Sequence, residues 1–193
     1  RQELANWKTK YEETKAKSEE TANTLQTYRE ETTSDEKTKE TLETELENLN
    51  MQLGKTDVEG EGVIITLRKK EKSELAEDEE IAEITSIDLV YIVNALKDAG
   101  AEAISINGER IVGTSAISCD GNVIVVNGKK INSPIQISAI GYIELLSTLN
   151  RPGSTLEYFK NNSGKIVEFK KNTNLEIPKY TGVTNFKYAK NVK

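Results

Sequence analysis

SIDLVYIVNALKDAGAEAISINGER, residues 86–110, decides how the rest of the chain is read. Ile87, Val90, Tyr91, Val93 and Leu96 recur at the three- and four-residue spacing of one helix face. Ser86 reads as the N-cap of that helix, and Gly100 falls at the position just past its end that glycine favours. Residues 101–107 (AEAISIN) then alternate as a strand, with Glu102, Ile104 and Ile106 on one face and Ala103, Ser105 and Asn107 on the other. Asn107-Gly108 turns the chain back, because a two-residue hairpin turn asks for φ > 0 at its central positions.

The same signal recurs at Asp120-Gly121 and Asn127-Gly128, which delimit strands over 110–112, 115–119 and 122–126. Residues 134–140 predict a further strand, 142–149 a helix, 154–161 a short helix after Pro152-Gly153, and 165–171 a final strand. Ahead of the opening stretch, GVIITLR at 62–68 is short, apolar and β-branched, which predicts a buried strand. Residues 69–83 are charged and read as a solvated loop; the Glu77-Asp78-Glu79-Glu80 run fits no EF-hand spacing. Strand–helix–strand, a hairpin, then strand–helix–strand predicts an α+β fold: a ferredoxin-like split βαβ sheet with helices on one face and an inserted hairpin, occupying residues 57–193.

Residues 1–56 are of another kind. No glycine or proline occurs before Gly54, and the large apolar residues keep one heptad register. Leu4, Tyr11, Leu25, Leu46 and Leu53 fall at a positions, and Trp7, Tyr28, Leu42 and Leu49 at d positions. These nine form the expected coiled-coil interface. Thr32, Asp35 and Lys39 weaken its middle, so a break or fraying is expected near Ser34. Two outcomes stay open: a self-paired coiled-coil dimer, or a solvated unpaired helix. The pattern opens at Arg1 with no N-cap before Leu4, which leads to the expectation of an upstream segment in a longer protein, a membrane anchor. The sequence itself holds no run of 18 apolar residues.

Charge follows the same division. Residues 1–61 carry 9 Lys+Arg against 16 Asp+Glu and residues 62–193 carry 17 against 16, for a net charge of −6. An acidic arm and a nearly neutral domain argue against nucleic acid, whose phosphates require concentrated Lys and Arg. With no histidine, the commonest general base and metal ligand is missing. Cys119 reads as a small core residue, since no histidine is present to activate it. No glycine-rich phosphate loop or paired strand-end carboxylates appear, so neither a cofactor nor an enzyme activity is expected. The one candidate polar or ligand site gathers Asn94, Glu102, Asn107 and Arg110 around a strand end, where Arg110 serves either an internal ion pair or a bidentate carboxylate clamp. The basic stretch 186–193 (FKYAKNVK) reads as a loose terminus.

DLVYIVNALKDAGAEAISINGER at 88–110 and IGYIELLSTLN at 140–150 resemble the bacterial YlxW-like family, known as a domain of unknown function. The matching positions are Asp88, Leu89, Asn94, Leu96, Ala99 to Gly108, Arg110, Ile111, Val126 to Gly128 and Ala139 to Gly141. Where that family usually has an acidic residue after the Ala-Ile-Gly glycine, this chain has Tyr142. The resemblance implies a single membrane-spanning anchor, a coiled coil, and the α+β domain on the extracytoplasmic side. It also implies a link to envelope and division genes of Gram-positive bacteria, and it brings no activity.

The expected function is a non-enzymatic, membrane-anchored scaffold of the cell envelope. Its arm would space and pair protomers while its domain docks an unidentified envelope protein through a sheet face or edge. The alternative is a small-molecule-binding or sensor domain on a coiled-coil stalk.

Overall fold

A computed structural model describes residues 36–71, 82–162, 165–183 and 188–189. The chain divides into two compact units, Arg1–Leu49 and Asn50–Lys193. That division falls ahead of the expected boundary after residue 56, because residues 54–57 belong with the second unit. Gly54 O accepts the Tyr180 N–H at 2.7 Å, and Asp57 Oδ1 accepts the Lys179 N–H at 2.7 Å.

Helix α1, Glu36–Gln52, is closed by two backbone bonds, Gly54 N–H to Met51 O at 2.9 Å and Lys55 N–H to Asn50 O at 2.8 Å. This is the Schellman pattern that glycine terminates. Gly54 has φ +70°, and a Cβ there would lie 2.6 Å from Val112 Cγ1. Of the heptad residues, Leu42, Leu49 and Leu53 are 56%, 49% and 52% exposed, and Leu46 is half-buried. Leu4, Trp7, Tyr11, Leu25 and Tyr28 lie outside the described residues, as do the expected break near Ser34 and the acidic run at 77–80.

The second unit contains β1 (Val58–Lys69), α2 (Ser86–Asp98), β2 (Ala103–Ile106), β3 (Glu109–Ile111), β4 (Ile117–Asp120), β5 (Val123–Val126), β6 (Lys129–Ile131) and β7 (Ile135–Ile140). After these come α3 (Ile143–Leu146), which continues into a 3-10 turn at Ser147–Asn150, then α4 (Thr155–Asn162) and β8 (Lys165–Ile177). The architecture is mixed α+β, with two antiparallel sheets. Five strands run in the order β3-β2-β7-β1-β8, and β4-β5-β6 form a second sheet.

Period-two alternation builds the core. Val63, Ile65 and Leu67 of β1 are fully buried with Ile104 and Ile106 of β2 and Ile135 and Ile137 of β7. Against this face pack Leu89, Ile92, Val93 and Leu96 of α2, Leu156 and Phe159 of α4, and Ile124, Val126 and Ile131 of the small sheet. Burial of this order is the main stabilising term.

Several expectations are corrected. The predicted strands at 62–68 and 165–171 are the central parts of two long strands that pair from Val58↔Ile177 to Lys69↔Lys165, with an irregularity at Gly60/Gly62. Gly62 is needed there, since a Cβ would fall 2.0 Å from Ala139 O. The N-cap of α2 is Thr85 rather than Ser86, in a capping box with Asp88. The expected inserted hairpin is a three-stranded sheet in its own right. Asn107-Gly108 and Asn127-Gly128 both have φ > 0 throughout, whereas the β4–β5 turn centres on Gly121-Asn122 with only Gly121 positive. That is the sign pattern of type II′ rather than I′. Cys119 is exposed, not buried, because β4 lies on the rim of the small sheet.

Candidate functional site

The second face of the large sheet carries the alternate residues. Ala103 and Ile140 there form a small cluster with Leu175 and Ile177 of β8, joined by Val58 and Ile64. The last part of β8 is two strands away from β7 and three from β2 in the sheet order, so this contact requires the β1–β8 ribbon to bend across the face. The irregularity at Gly60/Gly62 supplies the bend.

Beside the folded-over ribbon lies a groove of about 400 Å³. Its floor is the polar side of three adjacent strands: Thr66 of β1, Gln136 and Ser138 of β7, and Ser105 of β2. The register places Thr66 opposite Gln136, and Ser138 opposite Ser105. Leu175, Glu176 and Pro178 wall one side, and Asn107, Gly108 and Pro134 the other.

Asn107 holds that second wall in place. Its Oδ1 accepts the Gln136 N–H at 2.6 Å and its Nδ2 donates to Asn132 O at 3.2 Å. The other Asn-Gly turn returns the arrangement, since Asn127 Nδ2 donates to Arg110 O at 2.9 Å. Lys129 Nζ and Glu109 Oε1, each two residues past its turn asparagine, pair at 2.6 Å. The two hairpins are therefore pinned to one another.

Arg110 stands opposite Ser105 in the register, on the groove side of β3. It is only 4% exposed, and its Nη1 is buried without a hydrogen-bond acceptor among the described residues. Burial lowers its pKa below the ordinary arginine value, and the charge of Asp57 opposes that shift. The site of Gly54 lies against its side chain, with a Cβ position 3.6 Å from Arg110 Cγ and Nε.

Of the four residues expected in one site, Asn107 lines the groove and Arg110 lies beside it. Asn94 is exposed on α2, and Glu102 is exposed ahead of β2 with its N–H bonded to Ile140 O. Neither makes a hydrogen bond or ion pair with Arg110 among the described residues; the carboxylate whose charge reaches it is Asp57. Thr66, Ser105, Gln136 and Ser138 were not singled out by sequence. Their signal is faint but present, since each is the polar member of an apolar–polar alternation within a strand. Among the described residues, no group of three or more Cys, Asp and Glu could hold a metal ion, and no helix is long and apolar enough to cross a membrane.

A family model described as "Bacterial protein of unknown function (DUF881)" matches residues 45–190. The UPF0749 protein YlxW of Bacillus subtilis (strain 168) is 34% identical over 116 residues, covering 58% of this chain and 49% of that protein. The UPF0749 protein Rv1823 of Mycobacterium tuberculosis (strain ATCC 25618 / H37Rv) is 32% identical over 105 residues, which is 50% of this chain and 34% of that one. The chain thus spans about half the length of the first relative and about a third of the second. A crystal structure of an uncharacterized conserved protein from Mycobacterium tuberculosis is similar in fold, with a TM-score of 0.59 and 23% identity over 77% of this chain and 99% of that chain.

Proposed function

The chain belongs to the DUF881 family of bacterial proteins of unknown function, and from its geometry we propose that it is a non-enzymatic scaffold on a self-pairing helical arm. One observation carries this reading. Leu42, Leu49 and Leu53 stand exposed on and just past α1 at heptad spacing, where a stripe of that kind is ordinarily buried by a second helix. The coiled coil extends, in this proposal, over the full heptad pattern of residues 1–53.

The domain is the docking part. We take its large sheet as a ferredoxin-like split βαβ, a reading supported by the order β3-β2-β7-β1-β8, in which each pair of strands linked through a helix is separated by a strand of the other pair. β8 ends that sheet on one side and offers an edge for an added strand from an envelope protein. A single-pass anchor, an extracytoplasmic location and a link to division rest on the family resemblance alone.

Sedimentation of the 193-residue chain tests the arm. The expected result is a concentration-dependent dimer that becomes a monomer when Leu42, Leu49 and Leu53 are all changed to Gln, with the domain still folded. A monomer at every concentration, unaltered by the substitutions, would overturn self-pairing.

A further inference from the structure

The feature left over by the scaffold reading is Arg110. A guanidinium offers five N–H donors in a planar fork, and leaving a buried donor without an acceptor is costly. Yet Arg110 is 4% exposed and its Nη1 has no acceptor among the described residues. Asp57, the opposite charge nearest in effect, is itself exposed, and its Oδ1 already accepts the Lys179 N–H. The fold therefore keeps a cation under cover with the Nη1 arm of its fork unused among the described residues.

What lies next to it is a hydrogen-bonding floor. Ser105 is the cross-strand partner of Arg110, and Ser138 is the partner of Ser105 on the following strand. Both serines line the groove. Neighbouring strands are about 4.8 Å apart, and an arginine side chain is longer than that spacing. We propose that Arg110 and the groove floor form one binding site for a small carboxylate, the guanidinium supplying charge and Ser105, Ser138 and Gln136 supplying hydrogen bonds to the rest of the molecule. This site operates whether or not the arm pairs.

Charge selects the class. Arg110 lies beside the groove, cross-strand from the lining Ser105, and Glu176 is the charged residue of the lining itself. With one guanidinium at hand, a monoanion is accepted where a phosphate dianion is repelled. Among the described residues none of the lining groups is aromatic, which leaves no platform for a sugar ring or a nucleobase. A cavity of about 400 Å³ accommodates a molecule of dipeptide size. The carboxylate can be that of a free small acid or of a peptide C-terminus, and the two sources share the chemistry proposed.

Amide NMR of the 193-residue chain separates the outcomes, with N-acetyl-alanyl-alanine, its C-terminal amide, acetate and inorganic phosphate as probes. The free-acid dipeptide is expected to give saturable shifts at Ser105, Asn107, Gln136 and Ser138. The amide should bind at least about tenfold more weakly, the loss of one charge-assisted hydrogen bond. Arg110→Met should abolish the discrimination between acid and amide. If that variant fails to fold, the Ser105→Ala, Ser138→Val double variant keeps the test, since it leaves the cation in place and should weaken the acid. Acetate binding as tightly as the dipeptide supports a free acid as the source, and a tighter dipeptide supports a peptide C-terminus. Absence of saturable shifts, equal affinity for acid and amide, or tighter binding of phosphate would each overturn the proposal.

Discussion

Lys165 Nζ lies 2.6 Å from Asp88 Oδ2, joining the first residue of β8 to the capping carboxylate of α2. The two side chains are 8% and 11% exposed, and the Lys165 ammonium also sits 5.8 Å from the centre of the Phe159 ring. Asp88 Oδ2 accepts from the Thr85 N–H and hydroxyl as well, at 2.7 and 3.0 Å. One carboxylate thus starts a helix and anchors a strand. Asp88→Ala removes both functions and leaves Lys165 buried without its partner, so urea unfolding should show a loss of about 3 kcal/mol. Asp88→Asn combined with Lys165→Met should lose less than the two single changes added together. Strict additivity would contradict the pairing.

Asn107 performs two tasks that substitution can divide. Its backbone takes φ +47° in the turn, and its side chain bonds Gln136 N and Asn132 O across the groove wall. Asn107→Ala loses both and is expected to cost about 2 kcal/mol. Asn107→Gly keeps the turn and should recover roughly half of that. In both variants the Gln136 amide should exchange faster with solvent; unchanged exchange there would mean that the side chain does not hold the wall.

Gly54 combines left-handed backbone with close approach to Val112 and Arg110. Gly54→Ala should therefore lower stability by about 1–2 kcal/mol in thermal unfolding. Val112→Ala added to it should recover part of the loss by making room. A neutral Gly54→Ala would show that residues 54–57 lift away from the domain at little cost.

Cys119 is exposed, and its Sγ accepts the Ser86 N–H at 3.3 Å. A thiol reagent should label the folded chain with one equivalent, without denaturant and without loss of the helical signal. Labelling only after unfolding would place the thiol in the interior.

The parts of the fold that announce themselves in sequence are those fixed by near neighbours. Gly100 ended α2 as its position promised, because Gly100 N–H to Lys97 O and Ala101 N–H to Leu96 O close the helix within five residues. Asn107-Gly108 and Asn127-Gly128 likewise gave the turns expected of them, and the family resemblance carried by residues 99–108 holds. The polar ends of β1 and β8 did not read as strand. VEGEG resembles a linker and KNTNLEI a loop, and they become strand only by pairing with each other from Val58↔Ile177 inward. Cys119 misled because apolar neighbours signal burial only when both faces of a strand are covered. At the site, Asn107 and Arg110 were legible from charge and turn chemistry. Ser105, Ser138, Gln136 and Thr66 were not, since hydroxyls and amides on one side of a strand also describe any solvated sheet face.

The bond from Tyr180 N–H to Gly54 O joins the segment ahead of β1 to the segment after β8. On the ribosome, β1 emerges early and must wait for β8 before its outer edge is satisfied. Folding of this domain is thus a late event dominated by its most distant contacts, with a slow, high-contact-order character. A nascent chain held before residue 165 leaves an open strand edge for a chaperone to shield.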